Sequence, residues 1–174
     1  MALSDKKVLT FIHYDFEDLE FWYPKLRLEE AGVTVEVAGE RATTTYTGKH
    51  GVPGMAEIDF ARMDPAAYDG LLVPGGWAPD KLRRFEEVRR TVRRMNEQGK
   101  VLGMICHAGW VLISAGVVSG KRVTSTPAIR DDLENAGATW VDEPVVVDGN
   151  LISSRRPPDL PAYMRAFLEA LSAG

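Results

Sequence analysis

Cys106 is the only cysteine among 174 residues, and His107 follows it directly in the run VLGMICHAGW. Apolar residues lead into the sulfur and a helix-like run leaves from it, so the thiol is expected where a buried strand meets a helix. A thiol placed there has a chemical use. Free N–H groups and the dipole at a helix N-terminus favour an anion, and cysteine pKa values at such positions fall from about 8.5 into a range of roughly 3.5 to 7.5. The thiolate so formed attacks carbonyl carbon. Two other runs offer partners. LLVPGG carries Gly75 and Gly76 to the end of an apolar strand, where missing side chains leave backbone N–H groups open to a developing oxyanion. VLTFIHYDFED carries Glu17 into the first turn of a helix. An ionised carboxylate there opposes the thiolate, so Glu17 is expected to act as a protonated donor to sulfur, the two groups titrating as one unit.

Taken singly, each feature has an ordinary explanation. A lone cysteine in an apolar strand is usually a small buried hydrophobe. Glu17 suits the positive end of a helix, and a glycine pair suits a tight turn. Adjacent residues of a regular strand also face opposite ways, so His107 takes a proton from Cys106 only if the chain bends sharply between them. Coincidence at three strand ends favours chemistry, because ligands of open α/β sheets gather beyond the carboxyl ends of the strands.

The elements that must position these residues alternate between β-rich runs and amphipathic segments, which predicts βαβ units around a largely parallel sheet. Residues 8–14, VLTFIHY, are apolar at nearly every position, as in a strand covered on both faces. Asp15 reads as an N-cap for a helix running to Gly32, with Pro24 expected to kink or divide it. VTVEVAG returns as a strand. Residues 44–59 lack helical periodicity and read as a hairpin or extended excursion. Asp64-Pro65 opens a short turn, and YDGLLVPGG follows as a buried strand. A long helix then reaches Gly99 on a stripe of Phe85, Val88, Val92 and Met95. After the cysteine strand and its helix come a strand at RVTSTP, a helix at AIRDDLENAG, and two strands turning at Asp148-Gly149-Asn150. A final helix buries Leu160, Met164, Phe167, Leu168 and Leu171.

Composition narrows the function further. With 45% hydrophobic residues and no linker or repeat, residues 1–174 are expected to form one domain. A single cysteine excludes an internal disulfide and suits a reducing cytoplasm. No run is long and apolar enough for a membrane span, and a net charge of −4 gives no general pull toward nucleic acid. The arginines of KLRRFEEVRRTVRR fit a solvated or subunit-facing helix better than a nucleic-acid surface. Three histidines, His13, His50 and His107, and one cysteine show no metal-ligand spacing. No GxGxxG or Walker segment is present, so neither a metal nor a cofactor is expected. His13 reads as a structural histidine. No histidine follows the cysteine region, which excludes a glutamine amidotransferase arrangement.

PGGWAPDKLRR, GMICHAGW, AIRDDLENAGATWVDEPVVVDGNLISSR and DLPAYMRAFL resemble the PfpI-type intracellular peptidases and stress proteins of the ThiJ/PfpI superfamily, which includes a deglycase. The resemblance runs from about Lys7 to Leu171. It implies a flavodoxin-like three-layer α/β sandwich with a mostly parallel central sheet and Cys106 on a nucleophile elbow. Glu17 matches the carboxyl that hydrogen-bonds the nucleophile, and His107 the histidine beside it. The backbone N–H groups of Gly76 and His107 match the oxyanion site. Asp80 stands where PfpI-type members carry an acidic residue that approaches the histidine of a neighbouring subunit, one methylene shorter than glutamate. The usual CHGP is CHAG here, and Trp77 and Trp110 flank the motifs. The resemblance implies a homo-oligomer whose site is completed across subunits. The substrates implied are small aldehydes or glycated proteins and peptides, through glyoxalase, deglycase or peptidase chemistry. The alternative is a non-catalytic redox-sensing or chaperone-like stress protein with an oxidisable cysteine.

Overall fold

A computed structural model describes residues 2–174. The first half contains β1 (Lys7–Phe11), α1 (Asp18–Glu30), β2 (Thr34–Gly39), β3 (Thr45–Thr47), β4 (Pro53–Met55), β5 (Ile58–Asp59), β6 (Gly70–Val73), α2 (Ala78–Leu82) and α3 (Glu86–Glu97). The second contains β7 (Val101–Ile105), α4 (Gly109–Ala115), β8 (Arg122–Val123), α5 (Arg130–Asn135), β9 (Thr139–Trp140), β10 (Val145–Asp148), β11 (Leu151–Ser154) and α6 (Leu160–Ala173). A seven-stranded sheet has the order β10-β11-β7-β6-β1-β2-β5. Every neighbouring pair in it is parallel except β10 with β11, the hairpin at Asp148-Gly149-Asn150. β3 and β4 form a separate antiparallel hairpin within the excursion at 44–59.

Alternation along the central strands makes three layers. Leu9, Leu71, Val73, Leu102 and Met104 face the side covered by Val88, Val92 and Met95 of α3 and Val111 and Leu112 of α4. Val8, Leu72, Ile105 and Ile152 face the other side, against Leu28 of α1 and Leu160, Met164, Phe167 and Leu171 of α6. The α/β sandwich expected from the sequence is the fold found. Among the described residues no helix is long and apolar enough to cross a membrane.

Three local expectations change. α1 begins at Asp18 with Glu17 as its N-cap, while Asp15 lies upstream at φ 64°. Pro24 neither divides nor ends α1; it is buried inside the helix, which only forgoes the hydrogen bond its missing N–H would have given to the Glu20 carbonyl. The helix drawn through to Gly99 is two helices. Phe85 is extended and caps α3, because its ring turns inward against Phe60 and His13 at centroid distances of 5.1 and 5.8 Å.

α6 is held to the sheet by its apolar stripe, so Phe167, which is fully buried, carries a large share of that layer. Phe167→Ala is expected to lower unfolding free energy by about 3–5 kcal/mol, read as a reduced midpoint in urea with an unchanged slope.

Candidate active site

The strand order places β7, β6 and β1 side by side, so the segments leaving their carboxyl ends converge. Phe16 and Gly76 form an antiparallel bridge. Glu17 N–H donates to the Gly75 carbonyl (3.1 Å) and Trp77 N–H to the Asp15 carbonyl (2.8 Å) on either side of it. Gly76 sits at φ 75°, and a Cβ there would collide with the backbone of Asp15 and Glu17. Only glycine meets both demands.

Cys106 itself takes φ 60°, a left-handed conformation that costs a non-glycine residue about 1–2 kcal/mol. The bend carries the chain from β7 into a 3-10 turn at Cys106–Ala108 ahead of α4. It also brings His107 Nδ1 to 3.3 Å from Cys106 Sγ, overriding the opposite facing of neighbours in a strand. The backbone N–H groups of Gly76 and His107 point at the sulfur and favour its anion.

The carboxyl beside the sulfur belongs to Glu20, where the sequence pointed to Glu17. Glu20 is 2% exposed, and its carboxyl lies close enough to the Cys106 thiol for each to shift the titration of the other. Both pack against Gly75: a Cβ on that residue would strike Glu20 Oε2 and lie 2.7 Å from Cys106 Cβ. Gly75 N–H donates to Glu20 Oε2 at 2.8 Å. It is therefore committed to the carboxyl, and of the three expected oxyanion donors Gly76 and His107 are the two aimed at sulfur. Glu17 instead caps α1, its Oε2 accepting the Glu20 N–H at 2.8 Å, and that cap fixes the turn from which Glu20 points inward.

Burial raises the Glu20 carboxyl from 4.5 to about 8, with the negative charge of Glu17 as the next cause and the Gly75 N–H opposing. Its Oε1 is buried with no hydrogen-bond partner, which adds to the penalty for ionising it. Burial also pushes the Cys106 thiol up, and ionised Glu20 pushes it further. The low thiol pKa expected from a helix start is thus not what this environment gives. Two acids share one pocket, and in the neutral range they hold at most one negative charge between them. His107 is lowered by burial, then by the charge of Lys49. Its ring lies between Trp77 and Trp110, each at a centroid distance of 5.0 Å. Trp110 is anchored by its indole N–H to Asp132 at 2.7 Å.

Asp80 lies on α2 and pairs with Arg84 at 2.6 Å, with no contact to His107 in the same chain. His13 is packed among Tyr14, Tyr46 and Phe85 with Nε2 3.5 Å from Glu40. Glu17, Asp18 and His50 bring ligand atoms within 4.8 Å of one another, the one such three-residue group among the described residues. Both Asp18 oxygens, however, accept backbone N–H groups, from His50 (2.9 Å) and Val52 (2.8 Å). These bonds dock the loop after β3 against α1.

The DJ-1/PfpI family model matches residues 6–170. The chain belongs to the DJ-1/PfpI family. A deglycase of Pyrococcus horikoshii is 46% identical over 166 residues, covering 95% of this chain and 99% of the relative. The Pyrococcus furiosus deglycase PfpI is 44% identical over 165 residues, covering 95% and 99%. Among solved structures, a two-domain Anabaena variabilis protein with DJ-1/ThiJ/PfpI-like and ferritin-like domains superposes with a TM-score of 0.94 at 41% identity. The match covers 96% of this chain and 48% of that one, so this chain spans about half of it. Drosophila melanogaster DJ-1beta superposes at 0.90 with 29% identity, covering 97% and 91%.

Within this family member, sequence reasoning missed Glu20, although a signal was present. Glu20, Pro24 and Leu28 recur at four-residue spacing on the buried face of α1, so Glu20 is the carboxyl that continues an apolar stripe. Two measurements follow. Alkylation of Cys106 by iodoacetamide should rise with pH through an inflection near 8, and Glu20→Gln should abolish that inflection. Because folding raises the Glu20 pKa from 4.5 to about 8, the stability linked to its protonation is fully present below 4.5 and lost as pH climbs through 8. Glu20→Gln should therefore match the parent's melting temperature near pH 4.5 and exceed it at pH 8.5, by the equivalent of roughly 3–5 kcal/mol.

Proposed function

We propose that this chain is a cysteine-dependent deglycase that acts on α-oxoaldehydes and on their early adducts with amines, with Cys106 as nucleophile. The observation that carries the reading is the left-handed bend at Cys106. It directs two backbone N–H groups and a neutral imidazole at one sulfur while a protonatable carboxyl stands beside it. The deglycase names of relatives 44–47% identical support the same class.

In the reactive form the shared proton rests on Glu20 and the charge on sulfur. Sulfur adds to the aldehyde carbon, and the carbonyl electron pair moves to oxygen, held by the N–H groups of Gly76 and His107. Glu20 protonates that oxygen, giving a hemithioacetal. On an amine adduct, sulfur replaces nitrogen at the carbinol carbon, the amine leaves with a proton, and the same hemithioacetal forms. The neutral His107 ring takes the proton on that carbon and returns it to the neighbouring carbonyl carbon, while Glu20 takes back the hydroxyl proton and passes it to the neighbouring carbonyl oxygen. One carbon is oxidised as the other is reduced, so the thioester of a 2-hydroxy acid arises without an external oxidant. Water cleaves the thioester, releasing the acid and restoring the thiol.

A homo-oligomer belongs to this reading. α1 is apolar on its outer side as well, with Leu19 and Leu26 exposed, and Val52 and Met55 stand exposed on the neighbouring hairpin. A second copy of the chain is the proposed cover for this face. Asp80 enters the chemistry only through such a copy, since within one chain it pairs with Arg84.

Steady-state assays with methylglyoxal, a methylglyoxal-treated peptide and the unmodified peptide test the proposal by following 2-hydroxy acid or amine release. Cys106→Ser should lose roughly a thousandfold or more in kcat, and Glu20→Gln about 10²–10⁴-fold. Glu17→Ala should instead cost about 1 kcal/mol of stability as a lost cap. Turnover in Cys106→Ser equal to the parent's would defeat the catalytic reading in favour of a redox-sensing or chaperone-like one, and cleavage of the unmodified peptide alone would make the chain a peptidase.

A further inference from the structure

Three backbone segments lie side by side at the mouth of the thiol site. Residues 15–17 bridge to 75–77 through Phe16 and Gly76. On their other side, Asp15 N–H donates to the Thr47 carbonyl and Lys49 N–H to the Phe16 carbonyl, both at 2.9 Å. Lys49 is thus fixed one hydrogen-bonded step from Phe16, which is itself paired with the glycine whose N–H faces sulfur. The loop that holds it is tied down twice more. Gly48 N–H closes on the Val52 carbonyl at 2.9 Å, and the buried Asp18 carboxylate accepts the N–H groups of His50 and Val52.

The other charges at this mouth are engaged. Asp15 pairs with Lys81 at 2.8 Å and Asp80 with Arg84 at 2.6 Å. Glu17 caps α1 and lies 3.8 Å from His50 Nε2. Lys49 is exposed and, among the described residues, forms no ion pair. Its ammonium charge nevertheless acts on both Glu20 and His107, the two groups that flank the sulfur. Without it, the Glu17 carboxylate and the single charge of the Cys106–Glu20 pair would repel any anionic electrophile.

We propose that Lys49 is the specificity-determining cation of this site, selecting carbonyl substrates that carry a carboxylate or phosphate beside the reacting carbon. The substrate class rests on the catalytic reading given above; the charge selection at the sulfur does not. A lysine ammonium on a flexible stem suits this task, since it follows an anion of either shape as a point charge. It also steers anions toward the site before contact.

The test compares matched electrophiles on the full chain. Cys106 is alkylated with iodoacetate and with iodoacetamide, in the parent and in Lys49→Met, Lys49→Arg and Lys49→Glu. The iodoacetate-to-iodoacetamide rate ratio should fall about fivefold in Lys49→Met and further in Lys49→Glu, and stay near the parent value in Lys49→Arg. Added salt should shrink the difference between parent and Lys49→Met. In turnover, the ratio of kcat/KM for an α-oxoaldehyde bearing a carboxylate (2,3-dioxopropanoate) or a phosphate (3-phosphooxy-2-oxopropanal) over methylglyoxal should fall likewise. The pair that responds more strongly names the anion. Equal losses for charged and neutral partners would reduce Lys49 to a general stabiliser of the thiolate and overturn the proposal. Should no aldehyde be turned over by the parent, the deglycase reading falls, while the alkylation ratio still decides the role of Lys49.

Discussion

Two acids, the Glu20 carboxyl and the Cys106 thiol, are buried against the same glycine, and a pocket of low polarity tolerates one negative charge there far better than two. Much of the local structure answers to that constraint. Residue 75 has no room for a Cβ, and its N–H is given to the carboxyl rather than to a substrate. The N–H groups left to face the sulfur are therefore the next along each strand end, those of Gly76 and His107. His107 is held neutral by burial, which fits the same balance. An imidazolium beside the sulfur would fix the charge as a cysteine–histidine ion pair, whereas a neutral ring leaves the proton to be exchanged between Glu20 and sulfur.

The fold produces this pocket by two devices that act at a distance from it. The first is the strand order β7-β6-β1, which sets three strand ends abreast, with the left-handed bend at Cys106 leading out of β7. The strain of that bend is carried by β7, whose residues are paired on both sides by β6 and β11. The second is the cap on α1. Successive helical residues are about 100° apart around the axis, so moving the helix start by one residue would swing Glu20 away from the sulfur. Glu17 sets that start through its bond to the Glu20 N–H. It shapes the thiol site without reaching the thiol.

The sequence is clear wherever burial repeats with a period. The apolar strands, the α3 stripe and the Asp148-Gly149-Asn150 turn all read directly, and the junction of strand and helix at Cys106 stood out because apolar residues stop there and a helix begins. The choice among the carboxyls of FEDLE is a different matter. Glu17, Asp18 and Glu20 are chemically alike and sit within one turn, and an N-cap signal at Asp15 shifts the apparent helix start upstream. Only the four-residue recurrence of Glu20 with Pro24 and Leu28 marks the one that continues the apolar stripe of the helix. The break before α3 was hidden for a related reason: Phe85 fits the helical stripe, yet its ring is drawn into an aromatic cluster built from distant residues. Lys49 lies in a glycine-rich excursion with no periodicity at all. Its place beside the site comes from a hydrogen bond to Phe16 and from the clamp at Asp18, neither of which leaves a local trace.

The shared proton also bears on which chemistry the site suits. Peroxide oxidises the thiolate, and susceptibility follows how much thiolate is standing and exposed. Here burial and the nearby carboxyl both hold the resting thiol protonated, so little thiolate stands ready for peroxide at neutral pH. The proposed addition to a carbonyl draws on the same thiolate, but the site assists the steps that follow. As sulfur adds to carbon, negative charge moves out of the pocket onto oxygen, two N–H groups receive it, and Glu20 supplies the proton that neutralises it. Under the proposed function, the arrangement serves an electrophile that can take both the electron pair and the proton.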